Sequence, residues 1–314
     1  MFVVCGEALY DLFAAEGSEG LSFDARIGGS PFNVAVGLAR LNQDAALLTG
    51  ISLDRLGHRL LSALERETVS TGLLRRKEAP TTLSLVDLGP DGTPIYTFYG
   101  TGAADSCLMP DDLPTLNADV WGLHFGSYSL VVEPTGGSLL GLARREARRR
   151  LITLDPNVRL NVEPDLDTWR TRIDAFAACA DLVKVSEEDL YLLYQGEDPE
   201  RVARRWLDAG AALVIVSAGA KGAIALTDAR RVSVPADDVR VVDTVGAGDA
   251  FQVALIAALA ECGCKTRDAV TELEESTLRT LLCFAASAAA VTCGRRGANL
   301  PHRVELKNIA KESF

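Results

Sequence analysis

The chain has 314 residues, 48% hydrophobic and 24% charged, a balance that fits a compact globular enzyme and argues against disorder. Its net charge of −11 argues against a nucleic-acid binder, which needs a basic face, yet leaves room for a nucleotide held by a few backbone N–H groups and one lysine. The longest apolar runs, 251–260 and 281–291, fall short of the roughly 18 residues of a membrane span, so no membrane partner is expected.

The run that opens Met1-Phe2-Val3-Val4-Cys5 lacks a basic n-region and carries Glu7 and Asp11, so it reads as a first strand and not as a secretory signal. Residues 8–13 and 21–27 read as further strands. Between these and the next pair lies a helix over 30–42, with Ser30 as N-cap and Pro31 at the favoured first helical position. Residues 81–88 and 93–99 alternate like strands and are separated by Gly89-Pro90-Asp91-Gly92, a strong turn signal. These strands predict a small antiparallel sheet with little core of its own, suited to act as a lid over a larger layer. From about residue 105 the pattern changes. Buried strands at 121–127, Leu151–Asp155, Leu182–Ser186 and Leu213–Ser217 end in polar residues or glycine and alternate with helices at 138–150 and Pro199–Ala209. Alternation of this kind predicts a mostly parallel sheet covered on both faces, with ligands beyond the carboxyl ends of its strands. A strand ending near Val242, an apolar helix over 249–262 and an alanine-rich helix over 284–291 complete the order. No repeat or low-complexity linker interrupts it, so the chain reads as a single domain over 1–314 with a discontinuous lid from approximately 8–27 and 72–104.

Seven cysteines, an odd number, include a lone C-x-C at Cys262 and Cys264 with no second half. They read as thiols in a reducing compartment, the cytoplasm. His58, His124 and His302 have no metal-ligand spacing and read as structural.

The most informative stretch is Asp243-Thr244-Val245-Gly246-Ala247-Gly248-Asp249-Ala250-Phe251. Glycines at a junction into a helix let the backbone turn tightly and let a ligand approach the main chain. Successive N–H groups at a helix start form a donor surface for a phosphoryl group. Asp249, in the first turn at that surface, either caps the helix or accepts a proton from a hydroxyl that attacks phosphorus. Other phosphate motifs are missing: there is no G-x-x-x-x-G-K-[ST], no G-x-G-x-x-G because Phe stands at 251, and no H-R-D or D-F-G.

The string DTVGAGDAF resembles the C-terminal signature of the PfkB (ribokinase-like) carbohydrate kinase family. Gly28-Gly29-Ser30-Pro31-Phe32-Asn33 resembles its N-terminal signature. The resemblance extends from Gly6 to Pro301 and implies a three-layer α/β/α sandwich with a β lid, often dimeric through that lid. It implies Asp249 as catalytic base and Gly246, Ala247 and Gly248 as the anion hole. It also implies that Asp243 and nearby carbonyls hold a monovalent cation such as K+. For the sugar it implies Asp11 of the run Gly6-Glu7-Ala8-Leu9-Tyr10-Asp11, with Gly28, Gly29, Asn33 and the lid aromatic Phe98. Gly50-x-x-x-Asp54-x-x-Gly57 resembles the family's G-x-D-x-x-G turn, with Ser52 where glycine is customary. Asp155-Pro156-Asn157-Val158-Arg159 resembles the D-P-N-x-R segment of fructokinases and ketodeoxygluconate kinases. There Arg159 either meets phosphate or a polar substrate group or is a plain surface residue.

For ATP, Ser217-Ala218-Gly219-Ala220-Lys221-Gly222 is similar to the family's T-x-G-x-x-G loop, with Ser for Thr. Lys184-Val185-Ser186-Glu187-Glu188-Asp189 stands in place of K-x-N-x-x-E, a segment associated with Mg2+. Asp189, shorter than Glu, would act on the metal only indirectly. The helix 284–291 with Gly297-Ala298 matches the adenine side or is plain packing.

Within the family, G-E-A-L-Y-D-L-F, L-H-F-G-S and D-P-N-V-R look most like bacterial fructokinases, so the expected reaction is transfer of the γ-phosphate of ATP to a primary hydroxyl of fructose. Ketodeoxygluconate kinase is the runner-up, opposed by Gly100, which stands where those kinases often carry an arginine. A non-catalytic sugar or nucleotide sensor on the same fold is the alternative from another class. A nicotinamide dehydrogenase, the generic α/β alternative, would need an acidic ribose clamp that this sequence does not show.

Overall fold

The leucine- and valine-rich runs lie side by side in an eight-stranded sheet. The computed structural model describes residues 1–17, 20–88 and 94–306. Six strands run parallel, in the order Leu213–Ser217, Leu182–Ser186, Leu151–Asp155, Gly122–Gly126, Phe2–Cys5 and Ala45–Leu48. Ala223–Leu226 and Arg231–Val234 extend the first edge antiparallel. Covered on both faces, these parallel strands need apolar residues at nearly every position, hence sequences such as LITLD and FVVC.

Two hydrophobic clusters flank the sheet, and alternate residues of one strand feed each. Phe2 and Val4 pack into one, with the helices Ser30–Arg40, Arg55–Arg66, Ala247–Glu261 and Glu275–Cys293. Val3 and Cys5 pack into the other, with Thr135–Glu146, Leu166–Ala177, Glu187–Leu193 and Pro199–Ala209. This is the expected three-layer ribokinase-like α/β/α sandwich. Glu275–Cys293 is longer than the helix expected over 284–291, and by length and apolarity alone it could cross a membrane. Its packing in the first cluster accounts for that apolarity.

The small sheet has the order Gly20–Gly28, Leu9–Gly17, Leu83–Leu88 and Pro94–Tyr99. Each hairpin is antiparallel as expected, while the two hairpins meet through a parallel pairing of Tyr10–Phe13 with Leu83–Val86. The turn expected at Gly89-Pro90-Asp91-Gly92 lies outside the described residues. Register places Arg26, Asp11, Ser84 and Phe98 in one cross-strand row, on the face turned to the cleft.

Three local expectations are corrected. Ser30 is not the N-cap: Gly29 holds that position at φ 100°, and Ser30 and Pro31 are the first two helical residues. No strand ends near Val242. Val241 and Val242 are 59% and 54% exposed on a loop, and the N–H groups of Val242 and Asp243 donate to the Cys293 carbonyl instead of to a strand. The helix expected over 138–150 spans Thr135–Glu146, and Arg148 beyond it turns through φ 63°. All seven cysteines are free thiols.

Candidate active site

A cleft of about 840 Å3 opens where the carboxyl ends of the parallel strands face the small sheet. That volume suits ligands of nucleotide and sugar size. Asp249 lines it from the first turn of Ala247–Glu261. Its Oδ1 accepts a hydrogen bond from Ser30 Oγ at 2.6 Å and its Oδ2 one from Asn33 Nδ2 at 2.8 Å. Ser30 and Asn33 are i and i+3 on one helix, so both side chains leave the same face. The carboxylate is thereby fixed in direction by two donors. Asn33, expected at the sugar, thus spends its amide N–H on Asp249.

The turn before Asp249 requires glycine. Gly246 has φ 81°, and a Cβ there would lie 2.7 Å from Ala298. A Cβ on Gly248 would lie 3.2 Å from Lys184 Nζ, so an ammonium group stands against the main chain of this turn. Lys184 is buried in the middle of its strand and donates to Asp155 Oδ2 at 2.8 Å. Burial works against its charge, but Asp155, Asp189 and Asp249 outweigh it and hold the ammonium above its usual range. Burial pushes the Asp155 carboxyl up to about 6 despite the lysine beside it. Asp155 Oδ1 is buried without a hydrogen-bond partner.

On the small-sheet side, Asp11 and Phe98 line the cleft. Burial raises the Asp11 carboxyl, opposed by a hydrogen bond from Ser84 and by Arg159. Any side chain at Gly28 would strike Asp11 Oδ2, and a Cβ on Gly29 would lie 2.8 Å from the Glu7 carbonyl. Arg159 is exposed at the rim of the cleft and donates to the Val158 carbonyl at 2.9 Å. Phe98 meets Tyr128 of the body edge-on, with ring centroids 5.0 Å apart.

At the other end, Ser217 and Gly219 line the cleft, and Gly219 has φ 53°. Ser186 also lines it and caps Glu187–Leu193 by accepting from the Asp189 N–H at 2.9 Å. Asp189 in turn accepts from the Val158 N–H at 2.9 Å, which ties the Asp155–Arg159 loop to this helix. Lys221 and Gly222 are not brought to the cleft lining; Lys221 is 75% exposed and pairs with Glu187 at 2.9 Å. Ala247 and Asp243 also stand behind the lining. Asp243 accepts from the N–H groups of Val245 at 3.1 Å and Gly297 at 2.8 Å, joining two loops. His124 is fully buried; burial, with Lys184 adding to it, lowers its imidazole to about 3, so it is neutral.

Two cleft residues have weak or misread signals in the sequence. Ser30 resembles a cap, and only its i, i+3 relation to Asn33 on an otherwise apolar helix could have marked it. Arg26 sits in a largely exposed strand of mixed polar and apolar residues that offers no motif.

The model of the family described as pfkB family carbohydrate kinase matches residues 1–304. The chain belongs to this family. Among pfkB relatives, the fructokinase of Rhizobium leguminosarum bv. trifolii is 39% identical over 280 residues, 89% of this chain and 86% of its own length. The fructokinase of Klebsiella pneumoniae is 35% identical over 265 residues, 83% of this chain and 84% of its own. Among solved structures, Xylella fastidiosa fructokinase with bound ATP superposes with a TM-score of 0.89 at 26% identity, covering 97% of this chain and 96% of that one. Vibrio cholerae fructokinase in a fructose-, ADP- and calcium-bound form gives 0.80 at 27% identity, covering 95% and 94%. As a pfkB carbohydrate kinase, the chain is a phosphotransferase with an alcohol group as acceptor.

Proposed function

We propose that the chain is an ATP-dependent fructose kinase, transferring the γ-phosphate to a primary hydroxyl. The observation that carries this is the Asp249 carboxylate, held by Ser30 and Asn33 inside the cleft and next to the Gly246–Gly248 turn. Asp249 accepts the hydroxyl proton as the oxygen attacks. The N–H groups of Gly246 and Gly248 take the phosphoryl oxygens, with Lys184 beside them, while the Ala247 N–H donates to the Thr244 carbonyl and braces the turn. Asp11, Gly28, Gly29 and Phe98 shape the sugar end, with Arg159 at its rim. Ser217 and Gly219 take the nucleotide end. The small sheet closes as a lid and keeps out water that would compete as nucleophile.

No group of three or more His, Cys, Asp or Glu side chains suited to a metal occurs among the described residues. Mg2+ fits this site as an ion carried mainly by ATP phosphates, which is its habit in kinases. Asp155, with one oxygen unpartnered, and Asp189 are the carboxylates that would meet its water shell. Bound Mg2+ supplies neutralisation of phosphate charge. Asp243 already accepts two N–H groups and keeps lone pairs for K+. The compartment proposed is the cytoplasm.

The outer face of the small sheet supports self-association. Leu21, Phe23 and Tyr99 are 64%, 44% and 61% exposed, and register puts Phe23 on the face opposite to Arg26. A second copy laid on this face would cover them.

Coupled assays of ADP formation with fructose, ketodeoxygluconate, ribose and nucleosides test the substrate. Fructose should give the highest kcat/KM; a higher value for ketodeoxygluconate would move the chain to the sugar-acid kinases. Asp249→Asn should bind both ligands near normally and lose at least about a hundredfold in kcat. Wild-type protein that binds sugar and ATP yet forms no ADP would identify a sensor.

A further inference from the structure

Arg26 has no part in the roles assigned so far. It stands directly opposite Asp11 in the small sheet, on the face that lines the cleft. Its guanidinium lies over the Phe13 ring at 5.3 Å and donates twice to Asp24, at 2.8 and 2.7 Å. It also crosses the cleft: a Cβ built on Gly297 would lie 3.3 Å from Arg26 Nη1. The residue next to Gly297, Ala298, is the one that Gly246 packs against. Arg26 therefore reaches from beside the sugar-binding carboxylate to the loop that backs the phosphoryl turn.

The charge balance of the cleft gives this position a purpose. Asp11, Asp249, Glu187, Glu188 and Asp189 all line it, and a nucleoside triphosphate must enter among them. Lys184 is already committed to Asp155. Arg26 is paired only loosely, since its side chain is 42% exposed and that of Asp24 is 58% exposed. An exposed pair of this kind contributes little to stability, so it is readily exchanged for a phosphoryl group. The planar fork of arginine then donates to two phosphoryl oxygens at once.

We propose that Arg26 is a further catalytic residue, which leaves Asp24 when a nucleoside triphosphate is bound and donates to its γ-phosphoryl group, the group that passes to the sugar. This rests on the kinase reading above. In the step, the bond from the γ-phosphorus to the β,γ-bridging oxygen breaks and its electron pair stays on ADP. A bond forms to the sugar oxygen, whose proton goes to Asp249. Arg26 takes no proton from the step and offsets charge on the equatorial oxygens.

The test uses full-length Arg26→Ala, Arg26→Lys and Asp24→Asn proteins. Fructose-dependent ADP formation is measured, and binding of ADP and of the non-hydrolysable β,γ-imido analogue of ATP is followed by calorimetry. Arg26→Ala should lower kcat at least about tenfold, below the range of a full arginine finger, with fructose KM within about threefold. It should also lose the preference for triphosphate over diphosphate, while Arg26→Lys keeps part of it. Asp24→Asn should match or exceed the wild type, because it frees the guanidinium. Unchanged kcat and unchanged triphosphate preference in Arg26→Ala would overturn the proposal. So would an equal loss in Asp24→Asn, which would make the pair merely structural. The calorimetric comparison is read without turnover, so it decides on Arg26 even if the assignment of fructose or of Asp249 fails.

Discussion

Asp249 is held by side chains 219 and 216 residues upstream, and its position next to the glycine turn is what makes it usable as a base. That residue was legible in the sequence because its string is contiguous. Its partner Ser30 was not, because a serine before an apolar helix looks the same whether it caps that helix or reaches across to another. Glu7 was equally hidden. It is 1% exposed, with hydrogen bonds from Ser129 and Ser127 and no ion pair among the described residues. Burial pushes its carboxyl up to about 7 from 4.5, the hydroxyls oppose this, and the Asp105 carboxylate adds to it. A carboxyl raised in the folded state favours folding below its unfolded value, and that contribution is lost as pH rises through the folded one. Glu7→Gln should therefore stabilise the protein relative to wild type at pH 8, by up to about 3 kcal/mol, and much less at pH 5. Urea unfolding at the two pH values measures this. An equal change at both would mean that Glu7 is charged in the folded state at either pH.

Among the elements, the strands Leu151–Asp155, Leu182–Ser186 and Leu213–Ser217 and the helix Pro199–Ala209 have the bounds expected from sequence. Their pattern is strong because both faces of each strand are covered. Ala223–Leu226 and Arg231–Val234 were not legible, being four-residue edge strands with too few periods to count. Val241 and Val242 failed in the opposite direction, since β-branched residues on an exposed loop imitate a strand. The loop they enter ends in the Gly246 turn, where geometry and function coincide. Gly246→Ala must force a Cβ into φ 81° and against Ala298, at a cost of about 1–3 kcal/mol. Thermal unfolding should show that loss, and kcat should fall at least about tenfold through the displaced N–H donors. Full kcat with the same destabilisation would separate the turn's structural need from catalysis.

On the scale of the whole molecule, strand–helix alternation made the α/β/α layering readable. It could not show that the two hairpins of the small sheet join through a parallel pairing, because nothing local in either hairpin encodes its neighbour. That sheet presents Phe23 outward, which gives a direct test of self-association. Phe23→Glu should shift sedimentation velocity from dimer toward monomer at micromolar concentration while leaving the helical circular dichroism unchanged. A wild type that sediments as a monomer would rule out the second copy on this face.

The close fit between Ser30–Arg40 and Ala247–Glu261, where a Cβ on Gly37 would lie 2.8 Å from Val253, also bears on synthesis. A chain emerging from the ribosome makes Ser30–Arg40 first, and that helix must wait for its mate until Ala247–Glu261 has been made. During that interval an oily groove stands open. Holding chaperones would be drawn to it, and a fragment released before Ala247 would keep it bare.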